Sequence, residues 1–313
     1  MKKIFKILTV SFLATFMLAS CASSATSSKA KLTKTESRAF WRIDGTDKNG
    51  NPSTVYIQGT FHLGDERIYP LSEEVQNAFA NADRLVGEMS TESYAELAQV
   101  SQVLAAPNKD GKIVTDYLTE EENAFMQMVF GENLPLAATM EPWQSNNALN
   151  LFLYMNSELT SEYGLDNAFI AYASQTGRSW EGLDDIQVQI DVLTFGEYEE
   201  QIKILKDTIK ALTDEEENKK LVEMTTNLYE YYVADDMKEM SKLLLGDELS
   251  TGENAELYKE YNEMVYSRRN KDWAEDITNY LAQGGTTFIF AGTAHWIGQD
   301  TVFQYLKKMG TIK

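Results

Sequence analysis

Histidine is nearly missing from this sequence, cysteine occurs once, and positive charge is in short supply. The 313 residues hold two His, one Cys and five Pro, with 28 Lys and Arg against 48 Asp and Glu, a formal charge of −20. A lone cysteine rules out an internal disulfide framework and any Cys-rich metal cluster, so stability must come from the core. With few prolines and 43% hydrophobic residues, the chain can bury one large core or two smaller ones and has little room for long disordered tracts. The excess of acid argues against nucleic acid or anionic lipid as a partner for the body of the protein.

A long hydrophobic run is missing too. The apolar stretch Ile7–Leu18 follows Lys2, Lys3 and Lys6 and ends at small residues before Cys21. About a dozen residues are too few to cross ~30 Å of hydrocarbon, so residues 1–20 read as a cleaved export signal. Leu18-Ala19-Ser20-Cys21 resembles a bacterial lipobox, which makes Cys21 the expected lipidation site and membrane attachment a matter of that lipid alone. Residues 21–38, rich in Ser, Ala, Lys and Thr, have the composition of a flexible tether, and residues 39–313 form the expected globular domain. The expected location is the cell envelope, on the periplasmic face of a membrane or the cell surface.

The two histidines occupy matched settings. His62 is the fourth residue of Gly59-Thr60-Phe61-His62 and His295 the fourth of Gly292-Thr293-Ala294-His295. Each motif follows a short β-branched and aromatic run, residues 54–58 and 286–291, and each precedes an apolar-periodic segment, so both predict strand, loop, helix. After the first helix, capped by Ser72 and running to Ala82, Asp83–Met89 predicts a second strand with Glu88 at its carboxyl end. A right-handed parallel crossover sets that strand beside the first, with Glu88 and His62 at one edge of the sheet, where open α/β sheets bind ligands.

Between the motifs the pattern is mostly helical. Thr119–Glu122 is a capping box opening a helix that stops at Gly131, Pro142-Trp143 opens another to Met155, and a third runs from Asp166 to Thr176. Residues 178–183 predict a strand carrying Asp184 at its end, and amphipathic helices fill 197–245. A helix over 256–267 is expected to end in Arg268-Arg269-Asn270, with the next over 273–283. The fold class is therefore α/β (α+β): N- and C-terminal strand-loop-helix segments forming a mixed sheet core, with a large helical insertion between them.

Imidazole is the commonest metal ligand and general base near neutral pH, whereas a single histidine is more often a hydrogen-bonded core residue. Two in matched settings, with none to spare, point to shared chemistry. If the two strand ends lie side by side, His62 and His295 converge and Glu88 adds a carboxylate, the ligand count of a catalytic metal site with a position open to water. Such a site does hydrolytic chemistry.

These residues also carry a family resemblance. With Val86-Gly87-Glu88 between its paired GxxH motifs, the chain resembles the TraB/GumN family, related to the Tiki-type proteases. Pro142-Trp143, Gly164-Leu165-Asp166, Gly182-Leu183-Asp184 and Arg269-Asn270 resemble recurring family positions in the same order. The family more often has glutamate where this chain has Asp184. What the resemblance implies is a divalent-metal hydrolase, manganese- or cobalt-dependent in Tiki-like members, acting on a peptide or protein. Two His and one Glu do not choose among Mn, Co, Zn and Fe. Glu88, Asp184 and Arg269 are the candidate catalytic residues, with Asp184 a general base or an outer partner and Arg269 an anion contact or a surface salt bridge at a helix end. Two other functions stay open: a metal-free hydrolase in which a histidine works with Glu88, and a tethered module that binds a peptide or signal without turnover.

Overall fold

The computed structural model describes residues 29–104, 106–155, 159–244 and 254–313, so the leader and Cys21 lie outside the described residues. Its centre is a six-stranded mixed sheet of β1 (Lys31–Lys34), β2 (Phe40–Thr46), β3 (Pro52–Thr60), β4 (Arg84–Met89), β5 (Glu181–Asp184) and β6 (Gly285–Gly292). Across the sheet the order is β1-β2-β3-β6-β4-β5. The first three strands are antiparallel, and β3, β6, β4 and β5 are mutually parallel. Four carboxyl ends therefore face the same edge.

The last strand in the chain takes a central place in the sheet, and its run Phe288, Ile289, Phe290 and Ala291 is buried throughout, as a strand covered on both faces requires. β4 consequently does not lie beside β3, as the sequence-based crossover expects; β6 separates them while keeping both parallel. The parallel pairing sets Ile57 opposite Ile289 and Thr60 opposite Gly292, so the two motifs leave the sheet side by side. Gly87 makes room for this arrangement, since a Cβ there would lie 3.0 Å from the Phe290 ring.

In chain order the helices are α1 (Glu73–Ala80), α2 (Thr91–Leu104), α3 (Glu120–Phe130), α4 (Leu134–Ala137), α5 (Pro142–Met155), α6 (Leu165–Gln175) and α7 (Ile186–Leu193), followed by α8 (Tyr198–Thr213), α9 (Glu215–Val233), α10 (Met237–Leu244), α11 (Ala255–Asn262), α12 (Arg269–Gln283) and α13 (Val302–Lys308). Period-two alternation along β6 turns Phe288 and Phe290 to the face covered by α1 and α6, where Phe79 and Phe169 pack at centroid distances of 5.2–5.4 Å. α12 covers part of the other face through Trp273 and Ile277, both fully buried. α3, α5 and α8 gather a second core around Val114, Met126, Leu149 and Leu205. The helical insertion thus has a core of its own.

Local signals place many element ends. Ser72 caps α1 by accepting from Val75 N–H, and Thr119 with Glu122 forms the capping box of α3. Three segments differ from expectation. Lys31–Lys34, inside the expected tether, pairs with β2 as an edge strand whose lysines suit an exposed edge. The strand expected over 178–183 shortens to β5 because Arg178 N–H turns back to Ala173 O. Finally, no helix ends at Arg268-Arg269-Asn270: α11 continues through a π-turn, Glu263–Arg268, into α12, and Arg269 and Asn270 are buried on its inner side. Polar residues that resemble a helix terminus are held there by buried partners.

Phe288 is surrounded by the rings of Phe40, Phe79 and Phe169. Truncation leaves a cavity that a packed sheet centre cannot collapse, so Phe288→Ala is expected to cost about 3–5 kcal/mol, read as a lower urea midpoint with an unchanged slope.

Candidate functional site

Glu88 stands at the end of β4, Asp184 at the end of β5, and the two GxxH motifs extend past the ends of β3 and β6. Register alone brings these four to one edge. α12 then closes the site from the side. Arg269 in its first turn reaches between the two carboxylates: Nη2 donates to Glu88 Oε2 at 2.8 Å and Nε to Asp184 Oδ2 at 2.8 Å. One turn further along, Trp273 donates its indole N–H to Asp184 Oδ1 at 2.7 Å, and Gln189 Nε2 donates to Oδ2. Both oxygens of Asp184 are committed to donors. Arg269 is 7% exposed, so it forms a buried ion pair and not a surface one.

The motifs interlock through their threonines and glycines. Thr293 Oγ1 donates to Thr60 O at 2.8 Å, directly over Gly59, where a Cβ would lie 2.8 Å from that hydroxyl. Gly292 N–H donates to Glu88 Oε1 at 2.8 Å. Gly164 lies against the first motif: a Cβ there would meet His62 O at 2.3 Å, while Leu165 N–H bonds Phe61 O. Phe61 itself packs on Tyr229 and Tyr232 of α9, so the helical insertion fixes one motif loop.

The two imidazoles end in unlike surroundings. His62 is 73% exposed, and its Nδ1 lies 2.8 Å from Asp166 Oδ2; Thr60 Oγ1 donates to the other oxygen of Asp166 at 2.6 Å. His295 is buried, 4.2 Å from the Trp273 ring, with Nδ1 2.6 Å from Asn270 Oδ1. The hydrogen bond to Asp166 pushes His62 up to about 9, outweighing the lowering effect of desolvation. Burial pushes His295 down to about 3. Burial also acts to raise Glu88, but His295, Arg269, His62 and the Gly292 N–H together outweigh it and hold the carboxyl well below its ordinary range. Because His295 is neutral near pH 7, the ionised Glu88 rests there mainly on Arg269. Burial raises Asp184 in spite of Arg269.

A family-wide sequence profile, the TraB/PrgY/gumN family, matches residues 39–312. The chain belongs to this family. A protein of Treponema pallidum (strain Nichols), itself described as uncharacterized, is 27% identical over 299 residues, which is 93% of this chain and 86% of that one. No solved structure matches the chain. The match spans both motifs, Glu88, Asp184 and Arg269.

A divalent metal is what such a donor set suggests. Among the described residues, no three His, Cys, Asp or Glu side chains lie together as a ready-made ligand cluster. The chemistry of the two histidines nevertheless fits an ion: each has Nδ1 engaged by a side-chain oxygen, and neither Nε2 has a hydrogen-bond partner among the described residues. Each Glu88 oxygen accepts one bond, from Gly292 and from Arg269, which leaves lone pairs on a carboxylate that can take about four. Asp166 and Trp273 were not singled out by sequence as site residues. A carboxylate in a helix first turn and a tryptophan one turn after a buried arginine carry no local sign of their partners.

Asp166 stabilises the imidazolium of His62, so the stability it lends is complete below about pH 6.5 and is lost as pH rises through about 9. Asp166→Asn is expected to return the His62 pKa from about 9 towards the ordinary value near 6.5. Proton NMR titration reads this directly, because only two histidines contribute ring resonances.

Proposed function

We propose that this protein is a lipid-anchored, metal-dependent hydrolase of the cell envelope, acting on a peptide or protein. The observation that carries the reading is the pairing of β3 with β6 in the register Thr60–Gly292, which sets His62 and His295 past adjacent parallel strand ends beside the ionised Glu88 of the next strand. His62 and His295 would hold the ion through Nε2, with Glu88 as third ligand or as base beside it. Such an ion, when bound, lowers the pKa of its water and polarises a carbonyl. Manganese and cobalt come first by family resemblance, and zinc suits the same donors.

The protein residues supply the rest. Glu88 is held ionised and fixed in position, so it can accept a proton from an attacking water. Arg269 keeps that carboxylate charged and is oriented in turn by Asp184, which makes Asp184 a positioning residue for Arg269. Nη1 of Arg269 donates to Val265 O at 3.1 Å, and its second N–H offers developing negative charge a partner. Membrane attachment rests on the lipobox-like Leu18-Ala19-Ser20-Cys21, and the acidic body supports no nucleic acid partner.

A second reading draws on the unlike histidines. Asp166 keeps His62 protonated at neutral pH while His295 stays neutral and Glu88 ionised, and titratable groups pushed apart in this way are an acid–base pair in waiting. This would be a metal-free hydrolase. Elemental analysis of the purified full-length protein after loading with manganese, cobalt or zinc separates the two. The first reading expects about one ion per chain in the wild type, loss of it in His62→Ala and in His295→Ala, and chelator-sensitive cleavage of a peptide library. Glu88→Gln is then expected to lower turnover by about 10²–10⁴. A wild-type protein that binds none of the three metals contradicts the first reading, and chelator-insensitive turnover supports the second. Peptide binding that survives the double histidine variant, with no turnover, would leave a binding module.

A further inference from the structure

The side-chain orientation of Asn270 is dictated from behind. Its Nδ2 donates at 2.8 Å to the carbonyl of Asp300, a residue held at φ +46 in the turn that leads into α13. A carbonyl only accepts, so the amide nitrogen must face Asp300 and the amide oxygen must face His295. That oxygen lies 2.6 Å from Nδ1, in a position with no measurable exposure at Asn270 and 4% at His295. An amide oxygen also only accepts. Nδ1 must therefore carry the proton, and in the neutral ring Nε2 carries the lone pair.

The opposite tautomer would bury two acceptors against each other. Flipping the amide does not relieve it, because the oxygen would then meet the Asp300 carbonyl. Trp273 on one face of the ring at 4.2 Å and Tyr266 at 5.4 Å limit ring rotation as an escape. The free edge of the ring is at the functional site: a substituent on Gly292 would lie 3.2 Å from Glu88 Oε1 and 3.6 Å from His295 Cδ2, the carbon bonded to Nε2.

We propose that Asn270 is a positioning residue that locks His295 in the Nδ1–H tautomer, leaving the Nε2 lone pair permanently available at the edge of the site beside Glu88. The lock is a property of the folded chain; its weight for metal binding rests on the hydrolase reading above. It also separates the two histidines by design. His62 has a carboxylate partner that favours the charged ring, whereas His295 has a neutral partner that selects a tautomer without adding charge. The second histidine is thereby a ligand or acceptor that needs no proton removed before use.

The test is the nitrogen NMR spectrum of the two rings in metal-free full-length protein carrying isotope-labelled histidine, with His62→Ala to assign the signals. His295 is expected to show a protonated Nδ1 and an unprotonated Nε2. Asn270→Ala is expected to lose that preference, giving an averaged or Nε2–H ring. An Nε2–H ring in the wild type, or an unchanged Nδ1–H ring in a folded Asn270→Ala, overturns the proposal. The wild-type spectrum decides alone if Asn270→Ala does not fold. Zinc titration of the same proteins gives the consequence: affinity falls about 10–100-fold in Asn270→Ala. If the wild type takes up none of zinc, manganese and cobalt, the hydrolase reading loses its metal while the tautomer result stands on its own.

Discussion

Arg269 is the member on which the site depends. A buried guanidinium between Glu88 and Asp184 ties the ends of β4 and β5 to α12, and the same helix delivers Asn270 to His295 and Trp273 to Asp184. Two carboxylates this close repel unless a cation sits between them. The desolvation of three charges is costly, and a triad of this kind is weak grounds for stability, since an apolar replacement of equal volume is often neutral or better. What the triad supplies is position. It holds one carboxylate ionised at a sheet edge where burial alone would favour the acid.

The sheet supplies the other half of the geometry. Because β6 enters between β3 and β4, segments separated by more than two hundred residues leave the sheet as neighbours, and the Thr293–Thr60 hydrogen bond fixes their spacing. Gly59, Gly164 and Gly292 then matter for close approach more than for turning the chain, since a Cβ at each would meet a hydroxyl, a backbone carbonyl or Glu88. The π-turn before Arg269 fits the same pattern of an irregular segment beside a functional site.

Much of this was legible in the sequence wherever the information is local. The matched strand-loop-helix settings of His62 and His295, the Ser72 cap, the Thr119–Glu122 box and the carboxylates closing β4 and β5 all follow from neighbours within a few residues. Non-local facts were not legible. Nothing in Asp83–Met89 announces that another strand will insert beside it, and that insertion depends on the apolarity of a segment two hundred residues away. Arg268-Arg269-Asn270 carries the composition of a helix end, and only the buried acceptors it meets keep the helix running. Asp166 and Asn270 illustrate the same limit at the site: the family resemblance marks their positions, but their partners are set by tertiary contact. The lysines of β1 look like tether until β2 is there to pair with them.

The central claim is that the two histidines share one ion. X-ray absorption of the cobalt- or zinc-loaded full-length protein tests it most directly, by counting imidazole nitrogens bound to the metal. Two imidazoles in the wild type, reduced to one in His62→Ala and in His295→Ala, is the predicted result. A metal bound by no imidazole, or by one that survives both substitutions, would contradict it and leave the paired motifs as a metal-free acid–base device.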